Sequence, residues 1–339
     1  MQKQRHPSRL LPYKITPLSA CLVGVLTVGT AISCHAQQQP YPTKAIRVIV
    51  PYGPGTAPDT IARIASDGLQ KRLGQSLVIE NRTGAGGKIG TEAAANATAD
   101  GYTLFLGTKD SQSYLIHLHP TWSVKPDQAL KPIAGLAKIE NVLLTRNNAS
   151  APASLSAMLD TASKKELTYG SPGVGTNLHL MGELLKSGQK NVKLLHIPFS
   201  KSAAEALPAV IRGDLDLLFS GLPPALPLIK DGKLKPLAIT GTVRSRYLPN
   251  VPTFAESGIQ GFETGGWFGL FAPSGTPAFM LKKLETEIAS VMQEASYKER
   301  LESLSAEVWT ASPAELSRVI EVDGMRAGKL IRENRIAAE

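Results

Sequence analysis

One stretch constrains this chain more than any other: Ile46-Arg-Val-Ile-Val-Pro-Tyr-Gly-Pro-Gly-Thr-Ala-Pro-Asp-Thr-Ile-Ala-Arg63. The apolar run Val48-Ile49-Val50 stops at Pro51, a Pro/Gly loop follows, and helical spacing resumes at Ile61, Ala62, Ile64, Ala65 and Leu69. A buried strand that ends in glycines and leads into a helix turns the helix's first amides into the loop, an arrangement suited to holding an anion.

The pattern continues downstream. Strands are predicted at 77–80 and 102–106 with a helix at 89–96 between them, which implies right-handed βαβ crossovers and a mostly parallel sheet. From about residue 130 the alternation restarts, with strands at 142–145, 167–169, 192–196, 215–219 and 234–240 and helices at 154–162, 177–185, 203–212 and 224–230. The Pro/Gly-rich segment 248–262 breaks the alternation and reads as a crossover. Beyond it come a strand at 267–272, a helix opened by Pro277, and a last helix from Pro313 towards Ile331 with Ser312 as its N-cap. On that last helix Leu316, Val319, Ile320, Met325 and Leu330 form the expected apolar side. The fold class is therefore α/β with two lobes, drawn at 37–138 plus 258–339 and at 139–257, whose strand-end loops line a cleft.

Composition narrows the function. With 42% apolar and 19% charged residues in 339, the chain is globular rather than disordered. Its formal charge of +9 includes four bases, Lys3, Arg5, Arg9 and Lys14, in a leader without acids. A basic segment to Lys14, an apolar run from Leu18 to Ile32 and the small residues Cys34 and Ala36 read as an export signal at 1–36, cleaved after Ala36. The competing reading is lipid modification of Cys34. Both cysteines, Cys21 and Cys34, fall in this leader, so a mature chain has no thiol for a disulfide, a nucleophile or a metal. No basic block is interleaved with aromatics, which argues against nucleic acid.

The glycine clusters fail the nucleotide motifs. Gly53-Pro-Gly55-Thr-Ala-Pro58, Gly84-Ala-Gly86-Gly-Lys-Ile89 and Gly173-Val-Gly175-Thr-Asn-Leu178 each lack the third Gly of the dinucleotide fingerprint, and Gly87-Lys88 is followed by Ile89 rather than Ser or Thr. Tyr169-Gly-Ser-Pro-Gly173 has Tyr where a nucleophile elbow needs Gly. The histidines show no metal-ligand spacing. What remains is anion binding, because Ser171-Pro-Gly-Val-Gly-Thr-Asn-Leu-His179 repeats the design of the opening stretch. The bland alternative is a tight turn that caps a helix.

Taken in order, these residues resemble the Bug-type extracytoplasmic receptors of tripartite tricarboxylate transporters. The likeness is carried by Val48-Ile-Val-Pro-Tyr52 with Gly55, Asp59 and Arg63, by Val78-Ile-Glu-Asn-Arg82 with Gly84-Ala-Gly-Gly87, and by Asp100-Gly-Tyr-Thr-Leu104. It continues through Tyr169-Gly-Ser171, His179-Leu180, His196-Ile-Pro-Phe199, Gly213-Asp-Leu-Asp216 and Leu248-Pro-Asn-Val-Pro-Thr253. The resemblance implies a type II periplasmic binding protein fold that closes on a small carboxylate and delivers it to membrane permease subunits. It implies a periplasmic monomer without catalytic activity, cofactor or metal. By position it implies ligand contacts from Tyr52, Gly55, Thr56 and Asp59, from Thr108, Lys109, Asp110 and Ser111, and from Ser171, Gly173, Gly175, Thr176, Phe199, Ser200 and Ser220.

Departures from the family pattern bear on the ligand. Thr56 stands where a second Gly is usual, Phe199 where Tyr is usual, and Lys109-Asp110 puts charges where small residues are common. Lys109 either pairs with a ligand carboxylate or is solvated, and Asp59 either meets the ligand or caps its own helix. Two other readings stay open: an exported esterase or amidase using Ser171 and His179, and a carboxylate sensor for a signalling partner.

Overall fold

The computed structural model describes residues 40–199, 203–263 and 265–336. The export signal at 1–36, Cys34 and the candidate Ser200 lie outside the described residues.

The chain enters through β1 (Ile46–Val50), α1 (Ala57–Leu73), β2 (Leu77–Asn81), α2 (Lys88–Ala95) and β3 (Thr103–Thr108). A helical turn, Asp110–Tyr114, runs on into α3 (Leu115–Leu118), then α4 (Pro126–Ala129) and β4 (Leu130–Ile139). The central part is β5 (Asn141–Arg146), α5 (Leu155–Lys164), β6 (Leu167–Ser171), α6 (Asn177–Gly188), β7 (Leu194–Pro198), α7 (Ala203–Arg212), β8 (Leu217–Gly221), α8 (Leu222–Lys230) and β9 (Leu234–Ile239). The chain closes with β10 (Gly266–Pro273), α9 (Ala278–Gln293), α10 (Ala295–Ser303), β11 (Ala306–Val308) and α11 (Pro313–Glu333).

These strands form two sheets, in the orders β11-β4-β10-β3-β1-β2 and β7-β6-β8-β5-β9. Both are mixed. Strands joined by helical crossovers pair in parallel, β1 with β2 and β3, and β6 with β7 and β8. Strands that follow a passage between the sheets pair antiparallel, β10 with β3 and β4, and β5 with β8 and β9. The parallel ladders bring the carboxyl ends of β1, β2 and β3 to one edge, and those of β6, β7 and β8 to one edge of the other sheet. This gathers the loops that make the site.

Both faces of each sheet are covered, so the central strands are apolar throughout rather than alternating. In β1, Ile46, Val48 and Val50 pack with α1 and α9, while Ile49 joins Phe105, Trp267 and Leu316 on the opposite face. In β8, Leu217 and Phe219 share a core with Met181 and Leu185 of α6, and Leu218 faces Val210 of α7. Leu248, Val251, Phe254, Ile259 and Phe262, in the segment expected to be a bare crossover, are buried in the cores of the second sheet.

The elements α3, α4, β4, α10 and β11 are absent from the sequence-based expectation, and α11 turns a partly different face inward. The strand β4 was not anticipated, because Pro132 and Gly135 interrupt its pattern and an internal Pro argues against a central strand. It pairs with β10 through two register irregularities, one beside the Pro132–Phe271 pair, and Gly135 is held small by Trp309 and Ala311. On α11 Leu316 and Ile320 are buried as expected, but Met325 is 60% exposed and the buried face continues through Asp323, Ala327 and Ile331. Small residues shift that face: Gly324 and Gly328 admit the ring of His117, which therefore packs on α11. Among the described residues no helix is long and apolar enough to cross a membrane.

Candidate functional site

The two glycine loops fold alike. Gly55 and Gly175 both have φ of 78°, in the left-handed region where a side chain is strained. Thr56 and Thr176 follow in extended conformation at the N-caps of α1 and α6, and their Oγ1 atoms donate to Gly53 O (2.7 Å) and Gly173 O (2.9 Å). In each loop the second glycine's amide donates to the side chain four residues on: Gly55 N to Asp59 Oδ2 at 3.0 Å, and Gly175 N to His179 Nδ1 at 2.9 Å.

The acceptors differ. Asp59 is buried and accepts two hydrogen bonds from Arg63 (3.0 Å each) and one from Asn81 Nδ2 (2.9 Å) besides that of Gly55. Burial disfavours its charge, but the bonds from Arg63, Gly55 and Asn81 outweigh it and hold the carboxyl below its ordinary value. Asn81 also donates to Tyr52 O (2.8 Å), so Asp59 ties the loop to the end of β2. His179 must be neutral, since its Nδ1 offers a lone pair to Gly175 N. Burial, with the Lys186 charge, lowers it to about 4. Its ring lies 4.1 Å from that of His196, which burial and His179 also lower to about 4.

Ser171, at the end of β6, is fully buried, and its Oγ is 2.7 Å from His196 Nε2. It is not bonded to His179, so the pairing expected for a hydrolase is not formed. Gly175 presses on the first half of the molecule: a Cβ there would lie 2.0 Å from Leu118.

After β3, Thr108 N donates to Ser111 Oγ (2.9 Å) and Ser111 N to Thr108 Oγ1 (3.2 Å), which locks the turn. Lys109 is buried, not solvated. Its Nζ lies 3.4 Å from Asp323 Oδ1 on α11, and Asp323 also accepts from Trp267 Nε1 at 2.8 Å. Burial lowers the lysine's pKa while Asp323 opposes the shift. Asp110 reaches between the sheets: Oδ1 accepts from the backbone amide of Asn177, the first residue of α6, at 2.9 Å, and Oδ2 from Tyr52 OH at 3.3 Å. Enclosure by protein raises its carboxyl to about 6, against the Asn177 amide, Lys109 and Tyr52, which favour the charge.

Between these loops lies a cavity of about 470 Å³. Seven of the expected residues line it: Tyr52, Gly55, Thr56, Thr108, Lys109, Asp110 and Thr176. Asp59, Ser111, Ser171, Gly173, Gly175, Phe199 and Ser220 are not among the residues that line it. Phe199 N donates to Ser171 O at 2.8 Å, and Ser220 is fully buried with its Oγ on Gly221 O. Sequence reasoning missed Asn141 and Asn177 and the apolar wall of Ile61, Ile139, Leu178 and Phe268. Asn177 was within reach, since it directly follows Thr176 at a predicted helix start. Among the described residues the charged groups on this wall are Lys109 and Asp110, and no group of three or more His, Cys, Asp or Glu side chains is arranged to hold a metal.

Residues 61–336 match the model of the tripartite tricarboxylate transporter family receptor. The BugT protein of Bordetella pertussis is 30% identical over 92% of this chain and 96% of its own length. A second B. pertussis protein, uncharacterised by name, is 33% identical over 89% of this chain and 93% of its own length. Among solved structures, an adipate-bound protein of R. palustris superposes with a TM-score of 0.80 at 31% identity, covering 88% of this chain and 99% of that one. Malate-bound MatC from Rhodopseudomonas palustris gives 0.78 at 30% identity, covering 86% of this chain and all of that one.

Proposed function

The chain belongs to the tripartite tricarboxylate transporter receptor family, the Bug-type solute-binding receptors, and from that premise we propose that it captures a small organic carboxylate in the cleft between its sheets and hands it to membrane permease subunits. The observation that carries this is the cavity itself: the amide ends of α1 and α6 frame it, Thr108, Lys109, Asp110 and Asn141 add a few polar groups, and Ile61, Ile139, Leu178 and Phe268 make an apolar wall. The adipate and malate bound by relatives support the carboxylate class.

In this reading the protein works in the periplasm as a monomer and binds without turnover. Lobe closure is the mechanism, with the ligand shifting an open–closed equilibrium by its greater affinity for the closed form. Ser171 then serves to hold the second loop through His196 rather than to attack a substrate.

A thermal-shift screen of mono- and dicarboxylates tests the proposal. At a ligand concentration of 100 times Kd the folded state gains about 2.7 kcal/mol, so at least one carboxylate raises the melting temperature by several degrees. Failure of every carboxylate to shift it overturns the reading.

A further inference from the structure

The amide end of α6 already holds a carboxylate, and it belongs to the protein. Asn177 N, the first amide of this twelve-residue helix, donates to Asp110 Oδ1 at 2.9 Å. The loop amides before the two helices are engaged alike, Gly175 N by His179 Nδ1 and Thr176 N by Gly173 O, Gly55 N by Asp59 Oδ2 and Thr56 N by Gly53 O, so what sets α6 apart is the carboxylate of Asp110 on its first amide. Asp110 is held from its other oxygen by Tyr52 OH, so it is fixed across the cleft while still forming part of the cavity wall.

The charges around it reinforce the point. Lys109, the cation on the same wall, lies 3.4 Å from Asp323, so its charge is compensated within the protein. A ligand with one carboxylate at the α1 loop and an apolar body meets Ile61, Ile139, Leu178 and Phe268. A second carboxylate at the far end meets Asp110, a like charge on the amide that would otherwise receive it.

We propose that Asp110 determines specificity by supplying the second carboxylate from the protein itself, so that this receptor takes apolar monocarboxylates and discriminates against the matching dicarboxylates. The inference rests on the carboxylate-receptor reading above. Acceptance of a diacid requires Asp110 to leave Asn177 N or to lose its charge.

The test is titration calorimetry at pH 8 with two matched pairs, hexanoate with adipate and benzoate with terephthalate, on the wild-type protein and on Asp110→Asn and Asp110→Ser. The expected result is at least tenfold tighter binding of the monocarboxylate in each pair that binds wild type, with the ratio moving at least tenfold towards the diacid in the variants. A wild-type preference for the diacid overturns the inference even if neither variant folds, and so does a ratio that folded variants leave unchanged. In both cases the carboxylate-receptor reading survives. If no carboxylate, in these pairs or in the wider screen, binds wild type or variant, that reading falls and takes the inference with it.

Discussion

The loops 53–59 and 173–179 share a backbone, a Thr N-cap and a glycine amide bonded four residues ahead, yet one closes on a carboxylate and the other on an imidazole. The difference decides how each is held. Asp59 brings a charge that Arg63 balances, and it accepts a hydrogen bond from Asn81, so the first loop is an ionic knot tied to β2. His179 brings a neutral acceptor packed against His196, and the second loop is held by packing on Leu118 and by a hydrogen bond that requires an unprotonated ring. The same local geometry therefore answers differently to mutation and to pH.

The largest effect is expected where the ionic knot is cut. Asp59→Ala leaves Arg63, Asn81 and the Gly55 amide without their acceptor, and about 3 kcal/mol of stability is expected to go, read from the shift of the urea unfolding midpoint. If the loss is under about 1 kcal/mol, the knot is not what holds the first loop. The paired glycines come next. Gly175→Ala combines a left-handed φ with a Cβ 2.0 Å from Leu118 and is expected to cost about 2–3 kcal/mol. Gly55→Ala has the same φ and no atom within 4 Å of its Cβ, so only the backbone strain of about 1 kcal/mol remains. Equal losses by chemical denaturation would mean that contact with Leu118 contributes nothing.

Smaller still is the pair of caps. Thr176→Ala removes the acceptor for His179 N as well as the bond to Gly173 O, and about 1 kcal/mol is expected to be lost. Thr56 makes no such cap bond, and Thr56→Ala loses less.

The mildest and most selective test is acidification. His179 and His196 have folded-state values near 4, below the ordinary 6.5, so the unfolded chain binds protons that the folded one does not. Their contribution is present above pH 6.5 and falls as pH drops from 6.5 towards 4. Asp110 has the opposite sign: its carboxyl is raised from 3.8 to about 6, so its contribution is full below pH 3.8 and is lost as pH rises through 6. Asp59, lowered, is affected only below about 3.8. Melting temperatures between pH 7 and 5 are therefore expected to fall in wild type and to fall less in His179→Gln, whose amide oxygen still accepts from Gly175 N. Glu183, Lys186 and His196 face the same ring and are unchanged in that variant. A wild-type slope retained in full would assign the pH response to other groups.

Much of the fold was legible because its signals are local. Apolar runs between Gly and Pro mark β1, β3 and β8, and capped periodic stretches mark α6 and α11, where Ser312 and Glu315 form the reciprocal cap of the last helix. β4 was hidden because its Pro and Gly are tolerated only through pairing irregularities with β10, a strand more than a hundred residues away in the chain. Met325 was misplaced for a related reason, since the inward face of α11 is set by what it packs on, and there a buried aspartate serves Lys109 and Trp267.

By itself the sequence determined the strands, the glycine loops, the helix starts and the kinship to a receptor family, because backbone propensity, turn chemistry and motif order all reside in short segments. Only the tertiary structure decided which atoms face the cavity. It turned Asp59 away from the cleft into a knot, and it brought Asp110 onto an amide 67 residues further on. Side-chain direction follows from how distant elements pack, and neither contact is encoded within any segment that contains only one of its partners.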